Sequence, residues 1–225
     1  MVGEWLQVEP TGNRAWLAMP ESEAGPGVLA LHAWWGLTPV FTEVCDRLAA
    51  EGFVALAPGL YPDGATTDSI AEAEKLVEAH DREPEVAEGI VLASEYHLRQ
   101  LPAVTSDRIG VVGFSMGAWW ALRLSQLRPD DVGAVVAFYG TGGGDFGPAQ
   151  AAYQGHFAEQ DDFEPLEDIR ALEDSIRTAG REVEFHTYPN TGHWFFEANR
   201  PDAYAAAAAD LAWERTVSFL KTHLS

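Results

Sequence analysis

Gly113-Phe-Ser-Met-Gly117 is the stretch that most restricts how this chain can fold. Before it, residues 108–112 (Arg-Ile-Gly-Val-Val) form a short β-branched run that reads as a buried strand. After it, residues 118–127 are long enough and apolar enough for a buried helix. A strand and a helix joined by G-x-S-x-G describe a nucleophile elbow, a turn so tight that side chains two residues before or after the serine would meet it. Glycine at both places removes that clash. The turn throws the Ser115 hydroxyl out at the top of a sheet, and the following helix points its N-terminal N–H groups at any anion forming there. The five-residue pattern is weak by itself; the strand and helix around it make it informative.

The rest of the chain alternates in the same way. Residues 5–8 and 15–18 read as two short strands joined by a turn at Thr11-Gly-Asn13. Residues 27–32, 53–57, 132–139, 151–157 and 181–188 read as further strands. Helices are expected over 39–51, 69–80, 84–101, 166–179 and 202–222, with Gly52 as a stop and Pro84 in a first turn. Strands alternating with helices imply an α/β fold, a mostly parallel sheet of about seven to eight strands covered on both faces. No repeat, linker or composition break divides residues 1–225, so one domain is expected.

Composition narrows the function. The 225 residues are 47% apolar, enough for a full core. The opening Met1-Val-Gly-Glu-Trp-Leu lacks the basic and apolar regions of a leader, and no apolar run reaches membrane-spanning length; a cytoplasmic protein is expected. A formal net charge of −21 argues against nucleic acid and anionic membranes as partners. It reads as a strongly solvated surface, since no residue in the sequence ties it to cationic substrates. The single cysteine, Cys45, lies in an amphipathic helical stretch and reads as a buried thiol; it excludes a cysteine-rich metal site. No phosphate-binding G-x-x-x-x-G-K-[ST] loop occurs.

A serine hydroxyl needs an adjacent base, itself held by a carboxylate. Behind a nucleophile elbow the partners follow in the order acid, then histidine, each in a loop after a later strand. The loop after the 151–157 strand carries Glu159, Asp161 and Asp162, and the loop after the 181–188 strand carries Gly192-His193-Trp194. His193 is the expected base, because His32 and His156 sit at or inside strands. Asp161 is favoured as the acid, with Asp162 and Glu159 as neighbours that spacing does not separate. Two backbone N–H groups would hold the developing oxyanion: Met116, directly after the serine, and Trp34, in the loop after the third strand. Trp34, Trp35, Trp119 and Trp194, together with Tyr139, are candidates for the substrate cleft. A core role is considered most for Trp119 and Trp120.

With these residues in place the chain resembles the dienelactone hydrolase family over nearly its whole length. The matching segments are His32-Ala-Trp-Trp-Gly-Leu37, Ala57-Pro-Gly-Leu-Tyr61, Gly113 to Gly117, Glu159-Gln-Asp-Asp-Phe-Glu-Pro165, and Tyr188 with Gly192-His193-Trp-Phe195. The resemblance implies an α/β-hydrolase fold with a short or absent lid, and hydrolysis of a small ester or lactone without metal or organic cofactor. It also carries the acid role onto Asp161. Three positions depart from the founding members. Ser115 stands where they use cysteine. Ala33 stands where they keep a glutamate that manages the thiol proton. Glu197 stands where they use an arginine for the substrate carboxylate, so a dienelactone carboxylate would be repelled there. The expected enzyme is a serine hydrolase of carboxylic esters or lactones acting as a monomer or small homo-oligomer. Thioester or peptide-type acyl hydrolysis and a non-catalytic binding protein on the same scaffold are the alternatives.

Overall fold

The computed structural model describes residues 3–61 and 64–224. Met1 and Val2, the start of the segment read above for a leader, and Ser225, the end of the expected domain, lie outside the described residues. Among the described residues, eight strands and six helices build an α/β fold with a mostly parallel sheet. The chain clusters into two compact units, 1–111 and 112–225.

In the first unit the strands β1 (Glu4–Val8), β2 (Asn13–Ala18), β4 (Val54–Pro58) and β3 (Gly27–Leu31) lie side by side in that order. The β1–β2 and β2–β4 pairs are antiparallel, and β3–β4 is parallel. Every residue of β3 and β4 is buried, as expected of strands that read as unbroken apolar runs. The edge strand β1 is mostly exposed, and its Trp5 ring meets Trp16 edge-on at 5.2 Å. Helix α1 (Pro39–Ala50) starts with proline in its first turn and buries Phe41, Val44, Cys45 and Leu48. Each fully buried side chain of this size contributes about 1.5–3 kcal/mol. Gly52, at φ 100°, turns the chain from α1 into β4. Helices α2 (Ile70–Arg82) and α3 (Pro84–Gln100) follow; α2 buries only Ala73, whereas α3 packs on β3 and β4 and buries Ile90, Val91 and Leu98.

In the second unit β6 (Val132–Phe138), β7 (Ala152–Gln160) and β8 (Val183–Gly192) run parallel. Strand β5 (Ile109–Phe114), whose first residues belong to the first unit, leads directly into helix α4 (Met116–Leu127). Helix α5 (Leu166–Thr178) packs on β8, and α6 (Ala206–His223) packs on β6 and β7. Three expected boundaries move by three residues or more. β7 continues three residues past Phe157, β8 continues four past Tyr188, and α6 starts at Ala206 rather than at 202 because 202–205 form a turn and its exit. The longer strands matter. Gln160 pairs with Gly192 after an irregularity at Ala158, so the next residue on each strand is Asp161 and His193.

Candidate active site

The second unit assembles three side chains at the ends of β5, β7 and β8. Ser115 sits between β5 and α4 at φ 52°, ψ −116°, a conformation that costs an L-residue about 1–3 kcal/mol. Its N–H is held by Phe138 O at 2.9 Å, and its carbonyl accepts the Ala118 N–H at 2.8 Å. A Cβ on Gly113 would fall 2.2 Å from Gly117 O, so the turn closes only with glycine. The Ser115 hydroxyl donates to His193 Nε2 at 3.0 Å. His193 Nδ1–H donates to Asp161, whose two oxygens lie at 2.9 and 2.8 Å. That contact keeps the imidazole proton on Nδ1 and leaves Nε2 as the acceptor facing the serine. Both side chains are almost wholly shielded from solvent.

Asp161 is itself fixed by its turn. Its Oδ1 accepts the N–H of Phe163 at 2.9 Å and of Glu164 at 3.1 Å. The neighbouring acids do other things: Glu159 accepts the Asn190 N–H at 2.9 Å, tying the end of β7 to β8, and Asp162 is exposed. The other histidines are committed elsewhere. His156 is buried and bonded to Tyr188, Gln154 and Thr216 at 2.8–3.1 Å. His32, in the first unit, accepts the Leu60 N–H on Nε2 at 2.9 Å and donates from Nδ1 to Ala33 O at 2.6 Å. Burial lowers its pKa to about 4.

Met116 is the first residue of α4, where N–H groups have no intrahelical acceptor. Trp34 follows β3 in the first unit, where its peptide is gripped on both sides. Ala33 O accepts the His32 Nδ1–H, and Trp34 O accepts the Tyr61 hydroxyl at 2.9 Å. The expected cleft residues divide. Trp194 is partly exposed, at φ 67°, with its ring 5.1 Å from His193. Trp35 is 1% exposed and Tyr139 is fully buried, which places both in the interior instead of on an open wall. Tyr139 and His193 pack their rings edge-to-face at 4.9 Å, and Tyr139 donates its hydroxyl to Glu197 at 3.0 Å. Burial first, then the Glu197 charge, raise its pKa well above that of a free phenol. Glu197 is likewise fully buried, so it does not present a repelling carboxylate at an open cleft. Trp119 is 42% exposed whereas Trp120 is buried, so the core role holds only for the second of the pair.

Two residues beside the relay escape a reading of the sequence. Phe163 is half-exposed, with its ring tilted at 44° and 4.9 Å from His193. Glu164 accepts the Thr141 hydroxyl at 2.6 Å, and burial raises its pKa. Both lie in the Glu159–Pro165 segment that carries the family resemblance, which gave neither of them a role. Among the described residues, no group of three or more His, Cys, Asp or Glu could hold a metal ion, and no helix is long and apolar enough to cross a membrane.

Known proteins share this arrangement of elements. The chain is 30% identical over 233 residues to Protein usf of Aquifex pyrophilus, covering all of both chains. It is 31% identical over 238 residues to a "Putative carboxymethylenebutenolidase" of Aquifex aeolicus (strain VF5), covering 99% of this chain and all of that one. Among solved structures, the dienelactone hydrolase-like promiscuous phosphotriesterase P91 from metagenomic libraries superposes with a TM-score of 0.89. It covers 99% of this chain and 98% of its own, at 21% identity, a likeness of fold. The family model for dienelactone hydrolases matches residues 14–224, and the chain belongs to the dienelactone hydrolase family of α/β hydrolases.

Proposed function

We propose that this hydrolase cleaves small carboxylic esters or lactones through Ser115, His193 and Asp161. The observation that carries the proposal is the continuous relay from the Ser115 hydroxyl through His193 to Asp161, with steps of 3.0 and 2.8–2.9 Å. In the proposed cycle Ser115 Oγ attacks the carbonyl carbon while its proton passes to His193 Nε2. Asp161 stabilises the imidazolium that forms. Met116 N–H and Trp34 N–H are the proposed donors to the oxyanion, the second resting on the family pattern. Collapse breaks the ester C–O bond, and the leaving alkoxide takes the proton from His193. Water then gives a proton to His193 and attacks the acyl-enzyme. Ser115 leaves with that proton, and the carboxylic acid departs. No metal or organic cofactor enters the proposed cycle. The proposed setting is cytoplasmic, for a monomer or small homo-oligomer acting on small molecules.

Hydrolysis of p-nitrophenyl esters of increasing chain length, simple lactones, a thioester and an amide tests the proposal, with wild type and Ser115→Ala side by side. Oxygen esters and lactones are expected to turn over fastest. Ser115→Ala is expected to lose turnover and labelling by a fluorophosphonate together. Asp161→Asn is expected to lower kcat by about four orders of magnitude, the scale seen when a relay aspartate elsewhere is made neutral. Full labelling of Ser115→Ala, or an Asp161→Asn enzyme as fast as wild type, defeats the mechanism.

A further inference from the structure

Two hydrogen bonds hold the His193 ring, one to Ser115 at 3.0 Å and one to Asp161 at 2.8–2.9 Å. In the proposed cycle the first is lost whenever Ser115 Oγ carries an acyl group. Asp161 is then the polar anchor, and a bond at one corner of a ring is a pivot: it lets Nε2 swing. Packing must stop that swing. Three rings lie against His193, namely Tyr139 and Phe163 at 4.9 Å and Trp194 at 5.1 Å. Phe163 and Trp194 keep part of their surface in solvent, whereas Tyr139 is fully buried.

Tyr139 is fixed at both ends. It follows β6 at φ 36°, a left-handed backbone that side chains disfavour, and its N–H donates to His156 O at 2.8 Å. Its two chain neighbours touch the elbow. Phe138 O accepts the Ser115 N–H at 2.9 Å, and a Cβ on Gly140 would fall 2.4 Å from Ser115 O. At the other end the phenol donates to Glu197 Oε1 at 3.0 Å. Glu197 is fully buried in the turn that follows His193, where its N–H donates to Trp194 O at 2.9 Å and its carbonyl accepts the Arg200 N–H at 2.9 Å. One side chain thus spans from the backbone that holds the nucleophile to the backbone that holds the base. A phenylalanine would fill the same space, but the hydroxyl also fixes how far the ring reaches and which way it turns. Burial and the Glu197 charge keep that hydroxyl protonated, so it remains the donor.

We propose that Tyr139 and Glu197 are positioning residues for His193: the ring of Tyr139, tethered by Glu197, holds the imidazole in line while Ser115 is acylated and released. The inference rests on the ester-hydrolase reading and adds two residues to its machinery. It also gives Glu197 a duty of its own. The resemblance set this residue against an arginine that binds a substrate carboxylate, and its burial against Tyr139 turns it to work inside the protein.

The test pairs kcat and KM for p-nitrophenyl butyrate with exchange of the His193 Nδ1 proton into water. Exchange is read by NMR on histidine-labelled protein and assigned by loss of the signal in His193→Ala. Tyr139→Phe and Glu197→Leu are each expected to lower kcat about tenfold, to leave KM within about twofold, and to speed the exchange about tenfold. Glu197→Gln offers an amide acceptor and is expected to restore most of the rate lost in Glu197→Leu. Tyr139→Phe/Glu197→Leu removes both partners, so it strands no buried polar group if a single variant fails to fold. Its kcat is expected to match that of the slower single variant, because both changes cut one tether. Tyr153→Phe controls for stability: it removes a hydroxyl bonded to Ser125 at 2.9 Å and is expected to lower Tm while leaving kcat and exchange unchanged. A double variant as fast as wild type, or one with unchanged proton exchange, overturns the brace. If wild type cleaves no ester, the hydrolase reading fails by itself. Faster exchange in the double variant then still supports the brace, and equal exchange overturns it.

Discussion

His32 shows how a single buried histidine can serve as a neutral strut. Its ring spans the chain after β3 and the chain after β4 by accepting from Leu60 and donating to Ala33. Both bonds require the neutral ring with its proton on Nδ1. Burial is the main cause that lowers its pKa from 6.5 to about 4. The sign of the consequence follows from linkage. Above pH 6.5 neither the folded nor the unfolded chain protonates this group, so no penalty exists. Between 6.5 and about 4 the unfolded chain binds a proton that the folded chain refuses, and stability falls by about 1.4 kcal/mol per pH unit, about 3 kcal/mol in all. His156, also lowered by burial, adds to the loss in the same direction. His32→Gln removes one titration while retaining an amide acceptor and donor. Urea unfolding at pH 7, 5.5 and 4.5 is expected to show wild type ahead of the variant at pH 7 and the gap closing as pH falls. Parallel stability profiles would contradict the strut.

At the scale of elements, the same substitution at two glycines separates the elbow from an ordinary helix. Gly113 ends against the backbone of α4: an added Cβ would lie 2.2–2.6 Å from Gly117 O, Gly117 C and Ala118 N, none of which moves without moving the helix. Gly89, inside α3, has open space where its Cβ would be. Gly113→Ala is therefore expected to cost more than about 2 kcal/mol and to slow fluorophosphonate labelling of Ser115 at least about tenfold. Gly89→Ala is expected to stabilise by about 0.5–1 kcal/mol, because alanine gives up less backbone freedom in a helix. Thermal unfolding of both variants checks the opposite signs, and a neutral Gly113→Ala defeats the account of the turn. The elbow was legible because its glycines answer to contacts within five residues. The ends of β7 and β8 were not. Glu159 and Gln160, and the residues from Pro189 to Gly192, read as loop, yet pairing of Gln160 with Gly192 carries both strands onward. Asn190 accepts φ 58° there, and its N–H is met by Glu159. That pairing links residues some thirty positions apart, so local pattern could suggest the chemical types Asp161 and His193 but not their meeting. Phe163 and Glu164 were less legible still, since their direction depends on the turn that Asp161 caps.

At the scale of the molecule, charge sets a condition that no single contact explains. The chain carries 35 acidic and 14 basic side chains, and its net charge of −21 disfavours any compact state through self-repulsion. Among the described residues, short-range pairs on exposed helix faces could offset this, such as Lys75 with Glu72 at 2.7 Å and Arg82 with Glu78 at 3.4 Å. Pairs of this kind contribute about 0.2–0.5 kcal/mol each. Added salt weakens both effects, but the repulsion is summed over an excess of 21 acidic groups, whereas each exposed pair contributes little. Screening should therefore stabilise. The Debye length falls from about 30 Å at 0.01 M to about 8 Å at 0.15 M, so most of the gain should come before 0.2 M NaCl. Tm is expected to rise by several degrees across that range and to level off above it. A further rise continuing in sulfate but not in chloride would belong to exclusion of salt from the protein surface, a separate effect. A flat Tm between 0.01 and 0.2 M NaCl would mean that the acidic groups are too far apart and too well hydrated to oppose folding.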